Sequence, residues 1–142
     1  AHMVPRETET LIRSYSAPGC AGFALTERST GRFVGMIGLK PEEGTGSYRV
    51  SFLLGPAFWG RGLIPEASGA LIRWGFTELG LETIWCNHYD GNTRSRRVIE
   101  KCGFRYQFSR ETDVPLMGER RLTHFFALTR PQWAADGGED RR

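Results

Sequence analysis

The tightest constraint in this sequence is the run Gly55-Pro-Ala-Phe-Trp-Gly-Arg-Gly-Leu-Ile-Pro-Glu-Ala67, which joins an alternating stretch to a periodic one. Before it, Tyr48, Val50, Phe52 and Leu54 alternate with Ser47, Arg49, Ser51 and Leu53, as in a strand with one core face and one largely polar face. After it, from Glu66 to Leu79, Ala67, Ala70, Leu71, Trp74 and Leu79 recur at helical steps, with Ser68, Arg73 and Glu78 between them. The glycines therefore fall at a strand-to-helix junction. The first N–H groups of a helix lack carbonyl partners and the peptide dipoles add partial positive charge, so an anion fits at that end. Gly60 and Gly62 remove Cβ atoms from the approach path, and Pro65 opens the helix without wasting a donor. A Gly-x-Gly used only as a turn former is the plainer reading. Two specific phosphate motifs are excluded. Arg61 and Gly62 stand where a Walker loop needs Lys and Ser/Thr, and Pro65 stands where a dinucleotide fingerprint needs its third glycine.

A second stretch narrows the choice. Trp85-Cys-Asn-His-Tyr-Asp-Gly-Asn-Thr-Arg-Ser-Arg-Arg-Val-Ile-Glu-Lys-Cys-Gly-Phe104 reads as a strand, a short turn and a helix closed by Gly103. Taken with Ala57-x-x-Gly60-x-Gly62, the motifs Asn92-x-x-Ser95 and Glu100-Lys101-Cys102-Gly103-Phe104 resemble the GNAT superfamily of acyl-CoA-dependent N-acetyltransferases, in its RimJ/RimL-like branch. The resemblance covers roughly residues 23–133, and two ordered motifs about thirty residues apart are more specific than either alone.

A chain of 142 residues is one domain by size, and 39% hydrophobic with 25% charged residues suits a globular protein. A net charge of +3 is mild. It favours an anionic ligand such as CoA and argues weakly for nucleic acid. Cys20, Cys86 and Cys102 are odd in number and lack C-x-x-C spacing, so neither a disulfide framework nor a metal site is expected, and a reducing cytoplasm is the expected compartment. No apolar run reaches the ~18 residues of a membrane span.

In chain order, Ala1-His2-Met3 reads as an expression-vector remnant, residues 4–133 as a single acetyltransferase-like domain and residues 134–142 as a disordered tail. Residues 5–15 read as a helix, with Leu11, Ile12 and Tyr15 on one face. Strands are expected at 22–26 and 33–39, joined by a hairpin loop, and at 48–54. A helix over 66–79 capped by Gly80, a strand over 83–89 and a helix over 93–102 follow. The last pair of strands covers 104–110 and 122–129, around a loop with Pro115 and Gly118. The order βββαβαββ gives an α/β (α+β) fold around a mixed, mostly antiparallel sheet flanked by helices. Against the family, this chain reads as lacking the usual first strand, either trimmed from the N-terminus, the favoured reading, or absent from the domain. An exposed sheet edge follows, and with it a homodimer formed by edge pairing.

The resemblance implies acetyl-CoA as the acyl donor and a primary amine, on a protein N-terminus or a small molecule, as acceptor by direct attack in a ternary complex. A non-catalytic acyl-CoA-binding domain of the same fold is the alternative, and a basic module built on Arg94, Arg96 and Arg97 is a third reading. Cofactor contacts are expected at Leu53, Leu54, Trp59, Gly60, Arg61, Gly62, Leu63, Ile64, Asn92, Ser95 and Arg97, with Asn92 also suited to a helix N-cap. Ser95 is the candidate to protonate the thiolate, because Ile99 stands where many relatives carry a tyrosine. An amine of pKa about 8 to 10 must lose a proton, so a base is required. The glutamate seen in related sequences is replaced here by Arg49, which cannot act as a base. Among His88, Asp90 and Glu111, His88 has the unperturbed pKa nearest neutrality and is the candidate. His124 reads as core or edge, and Cys86 and Cys102 as packing residues.

Overall fold

A computed structural model describes residues 20–26, 29–42, 47–54, 62–114 and 118–138. The expected helix over 5–15 and the turn over 55–61 lie outside the described residues. Within them the chain forms β1 (Ala21–Thr26), β2 (Phe33–Pro41), β3 (Tyr48–Leu54), α1 (Leu63–Thr77), β4 (Thr83–Tyr89), α2 (Thr93–Lys101), β5 (Arg105–Val114), β6 (Glu119–Thr129) and α3 (Arg130–Ala135). One six-stranded sheet runs in the order β1-β2-β3-β4-β6-β5. Only β3 and β4 are parallel, as a strand–helix–strand crossover requires, and the other neighbours are antiparallel. The mixed, mostly antiparallel sheet flanked by helices is as expected.

The helices share one core with the sheet. Leu71, Ile72 and Phe76 of α1, Ile99 of α2 and Trp133 of α3 close over Ile37, Leu39, Val50, Ile84, Cys86, Phe126 and Leu128. Phe76, Ile72, Ile84 and Leu128 are essentially sealed from solvent, and each such side chain stabilises the fold by about 1.5–3 kcal/mol relative to exposure. On the opposite face, Trp85 meets Phe108 edge-on and Phe108 stacks on Phe125 at 4.9 Å, with the Arg110 guanidinium over the Phe125 ring.

The last hairpin is longer than expected, β5 reaching Val114 and β6 starting at Glu119, and two helices also differ from expectation. Helix α1 starts at Leu63 and stops at Thr77, so Leu79 lies beyond it and is exposed. Its buried face is Ile64, Ser68, Leu71, Ile72, Gly75 and Phe76 rather than the stripe through Ala70 and Leu79. The large side chains Ile72 and Phe76 fix the rotation, and Ser68 is carried inward because it stands four residues from both Ile64 and Ile72. The second helix to differ is α3, which runs through the expected boundary at Trp133. A capping box holds its start, Gln132 N–H to Thr129 Oγ1 and Thr129 N–H to Gln132 Oε1, and Trp133 packs on Phe76 at 5.1 Å between ring centroids.

Candidate active site

The site is set by where β3 and β4 separate. Their ladder consists of Tyr48↔Ile84 and Arg49↔Trp85 alone, whereas β3 stays paired with β2 through Leu54 and β4 with β6 through Tyr89. Past Arg49 and Trp85, the facing edges of the two parallel strands have no ladder partner, and their N–H and C=O groups line a cleft between them. Leu53 and Leu54 belong to the β3 wall, and Cys86 to Tyr89 to the β4 wall. Because the strands are parallel, α1 and α2 both begin at the same end of the sheet, just past the two walls. Two helix N-termini therefore flank the cleft, a placement that favours an anionic ligand.

The start of α1 suits that purpose. Gly62 is its N-cap in the left-handed region, φ 73°, without a side-chain cap, and the Glu66 N–H is the one that bonds back to the Gly62 carbonyl. The N–H groups of Leu63 and Ile64 precede that first helical bond, and Pro65 has none to leave unmet. Leu63 is half-buried, and the buried Ile64 packs against Val34. Trp59, Gly60 and Arg61 lie outside the described residues. At α2, the Asn92 side chain caps the helix, its Oδ1 accepting the Ser95 N–H at 3.1 Å. Ser95 is half-buried in the first turn of the helix, and Arg97 is exposed. The helix ends in a double carbonyl closure, Gly103 N–H to Glu100 O and Phe104 N–H to Ile99 O, which Gly103 permits at φ 95°. Between α1, the end of α2 and α3 runs a groove of about 530 Å³ lined by Glu66, Gly69, Ala70, Arg73, Lys101 and Trp133.

His88 lies on the β4 wall with 6% of its surface exposed. Its Nδ1 is 2.9 Å from the Tyr89 carbonyl oxygen. A carbonyl only accepts, so Nδ1 donates and the neutral ring keeps its lone pair on Nε2. That Nε2 is buried and has no hydrogen-bond partner among the described residues. Burial holds the His88 pKa below its ordinary 6.5, with further lowering from His124 and Arg96, against an opposing effect of the Tyr89 hydrogen bond. His88 is thus kept neutral, with an unpartnered lone pair buried at Nε2.

Sequence reasoning missed the neighbour of this histidine. His124 on β6 lies directly opposite His88, the rings 5.1 Å apart. Its Nε2 is 2.7 Å from Asp90 Oδ1, its Nδ1 is 2.6 Å from Ser109 Oγ, and Ser109 in turn is 2.7 Å from the Tyr106 hydroxyl. These residues come from β4, β5 and β6, so only strand pairing brings them together. Arg49, where a base was sought, stands at the apex of the cleft with its Nε 3.0 Å from Glu42 Oε1. The Glu42 carboxylate pairs its charge, while the buried Nε makes no hydrogen bond among the described residues. Burial and then Arg49, its cross-strand partner, lower the Lys40 pKa. Cys86 is sealed in the core, its thiol pushed up to about 12 chiefly by burial, and behaves as a packing residue.

Comparison with known proteins agrees with this fold. Residues 2–105 match the family model described as the acetyltransferase (GNAT) domain. The FsC-acetyl coenzyme A-N(2)-transacetylase of Aspergillus fumigatus is 31% identical over 113 residues, which cover 72% of this chain and 48% of that protein. The chain thus spans about half the length of that relative. Two solved structures superimpose with 89% of this chain covered. The GNAT-family acetyltransferase from Bacillus anthracis has a TM-score of 0.73, 24% identity and 75% of its own chain covered. A putative ribosomal-protein-serine acetyltransferase from Vibrio cholerae has a TM-score of 0.74, 23% identity and 76% covered. At those identities, they establish the fold. Among the described residues no helix is long and apolar enough to cross a membrane.

Proposed function

The chain belongs to the GNAT family of acetyltransferases, in its RimJ/RimL-like branch, and from that premise we propose that it moves an acetyl group from acetyl-CoA to a primary amine by direct attack in a ternary complex. The observation that carries this reading is the open β3/β4 edge flanked by two helix N-termini. Acetyl-CoA supplies the activated acetyl thioester. In this reading the N–H groups of Leu63 and Ile64, with the preceding turn of Trp59, Gly60, Arg61 and Gly62, hold the pyrophosphate. The walls at Leu53 and Leu54 take the pantetheine arm, and backbone N–H groups of β3 polarise the thioester carbonyl. Asn92, its Oδ1 taken by the Ser95 N–H, contacts the cofactor through its amide NH2, and Arg97 sits on the same helix for the phosphates. His88 Nε2 accepts the proton of the attacking amine, and the Ser95 hydroxyl gives a proton to the departing thiolate.

A second reading rests on Arg49. The residue at the cleft apex is a cation paired with Glu42 rather than a carboxylate base, which suits an acyl-CoA-binding domain that does not turn over. The acceptor is a protein N-terminus or a small amine. The compartment we assign is the cytoplasm, in keeping with free cysteines at Cys20, Cys86 and Cys102.

The test is calorimetric titration of acetyl-CoA into the protein and into Gly62→Asp, whose carboxylate would oppose the pyrophosphate. Micromolar binding lost in the variant supports the site, and turnover in a panel of primary amines then separates enzyme from binding domain. Absence of binding to the unsubstituted protein would refute both readings.

A further inference from the structure

We propose that His124, clamped between Asp90 and Ser109, is the positioning residue that holds the His88 ring with Nε2 as its free proton acceptor. The inference deepens the assignment of His88 as the base and rests on that reading. His88 makes one hydrogen bond among the described residues, Nδ1–H to the carbonyl of the next residue. One bond at a ring corner leaves the ring free to pivot about it. What stops the pivot is packing from β6, where His124 lies 5.1 Å and Phe126 5.5 Å from the His88 centroid.

Of these two neighbours, His124 is the one whose own orientation is fixed by directional bonds. Asp90 carboxylate can only accept, so His124 Nε2 carries the proton of that 2.7 Å bond. Ser109, 2.6 Å from Nδ1, fixes the opposite side of the ring, and the Tyr106 hydroxyl completes the chain at 2.7 Å from Ser109. Tyr106 also meets the rings of His124 and Phe126. A ring bonded at both nitrogens cannot flip without breaking two contacts, so it forms a rigid wall for His88. The Tyr89 carbonyl sets the His88 tautomer, and the His124 wall keeps the ring seated on that carbonyl.

The charged and titratable groups facing His88 are His124 from β6, Asp90 from the end of β4 and Arg96 from α2, with Tyr106 of β5 behind His124. His124 and Arg96 both disfavour a proton on His88, and Asp90 acts the other way. His124 therefore restrains the ring and adds to burial, the largest cause, in disfavouring a proton on it.

The protein has three histidines, so long-range proton–nitrogen spectra resolve each imidazole and report its tautomer and titration without any ligand. The unsubstituted protein is expected to show His88 as a single tautomer with a protonated Nδ1 and a bare Nε2. His124→Phe keeps a ring against His88 but removes the clamp and the imidazole. Its His88 is expected to titrate at higher pH and to mix tautomers. Ser109→Ala leaves His124 in place but frees one side, and is expected to mix the His88 tautomers as well; it serves on its own if His124→Phe does not fold. An unchanged His88 tautomer and midpoint in these variants would reduce His124 to packing and overturn the proposal. So would a bare Nδ1 on His88 in the unsubstituted protein. Because the spectra need no acetyl-CoA, their outcome is independent of whether the cofactor assignment survives calorimetry.

Discussion

Gly62 shows how one residue serves both fold and site. At φ 73° it is in the left-handed region, and a Cβ built there meets nothing within 4 Å. Space is free but the backbone angle is not. Gly62→Ala is therefore expected to destabilise by about 1–2 kcal/mol in urea unfolding through backbone strain while retaining most acetyl-CoA affinity, whereas Gly62→Asp loses the affinity as well. Ser95→Ala is expected to lower kcat for an accepted amine by about 10²-fold or more with acetyl-CoA affinity unchanged, since a proton donor acts in the transition state. His88 ties stability to pH. Its folded pKa lies below the ordinary 6.5, with burial the largest cause, so the unfolded chain takes the proton first as pH falls. Stability is then complete above about 6.5 and declines below it, down to the lowered folded value. Urea midpoints of the protein and of His88→Gln across that window are expected to converge as pH falls. Gly62 at the start of α1 and the Asn92 cap onto Ser95 at the start of α2 were legible because each motif lies within its own short segment. The His124–Asp90 bond, across 34 residues, was not.

At the scale of elements, the strands and the two long helices followed from periodicity, and β3 and β4 matched residue for residue. The helix α3 did not, because six residues carry too little pattern to read and its stability comes from Trp133 rather than from propensity. Trp133 is buried on Phe76. Trp133→Ala is expected to cost about 3–5 kcal/mol in urea unfolding. A Cβ on Gly138 would stand 2.3 Å from the Trp133 ring, so Gly138→Ala must displace that turn, and a smaller loss in the same assay is expected. The rotation of α1 was misread for a related reason. Which stripe of a helix faces inward depends on what the sheet offers it, and here the sheet offers Leu39, Ile84 and Cys86 to Ile72 and Phe76.

Across the whole molecule, Cys86 reports on global opening. It is 2% exposed with its thiol pushed up to about 12, chiefly by burial, and only the thiolate reacts. Native protein at pH about 8 is expected to leave Cys86 unmodified by a thiol reagent, with labelling appearing across the urea transition; rapid native labelling of Cys86 would contradict the packing. Strand β1 forms one margin of the sheet in the described residues, and pairing of two copies along it, read from sequence as a homodimer, is checked by light scattering. By itself, the sequence determined the order of β1 to β6 with α1 and α2, the α2 cap and the family, because each is written in residues adjacent along the chain. The tertiary structure alone decided where β3 and β4 part, and that His88 faces His124 with a bare Nε2. Those features depend on strand pairing and burial, which bring distant residues to one place and set what each side chain can bond.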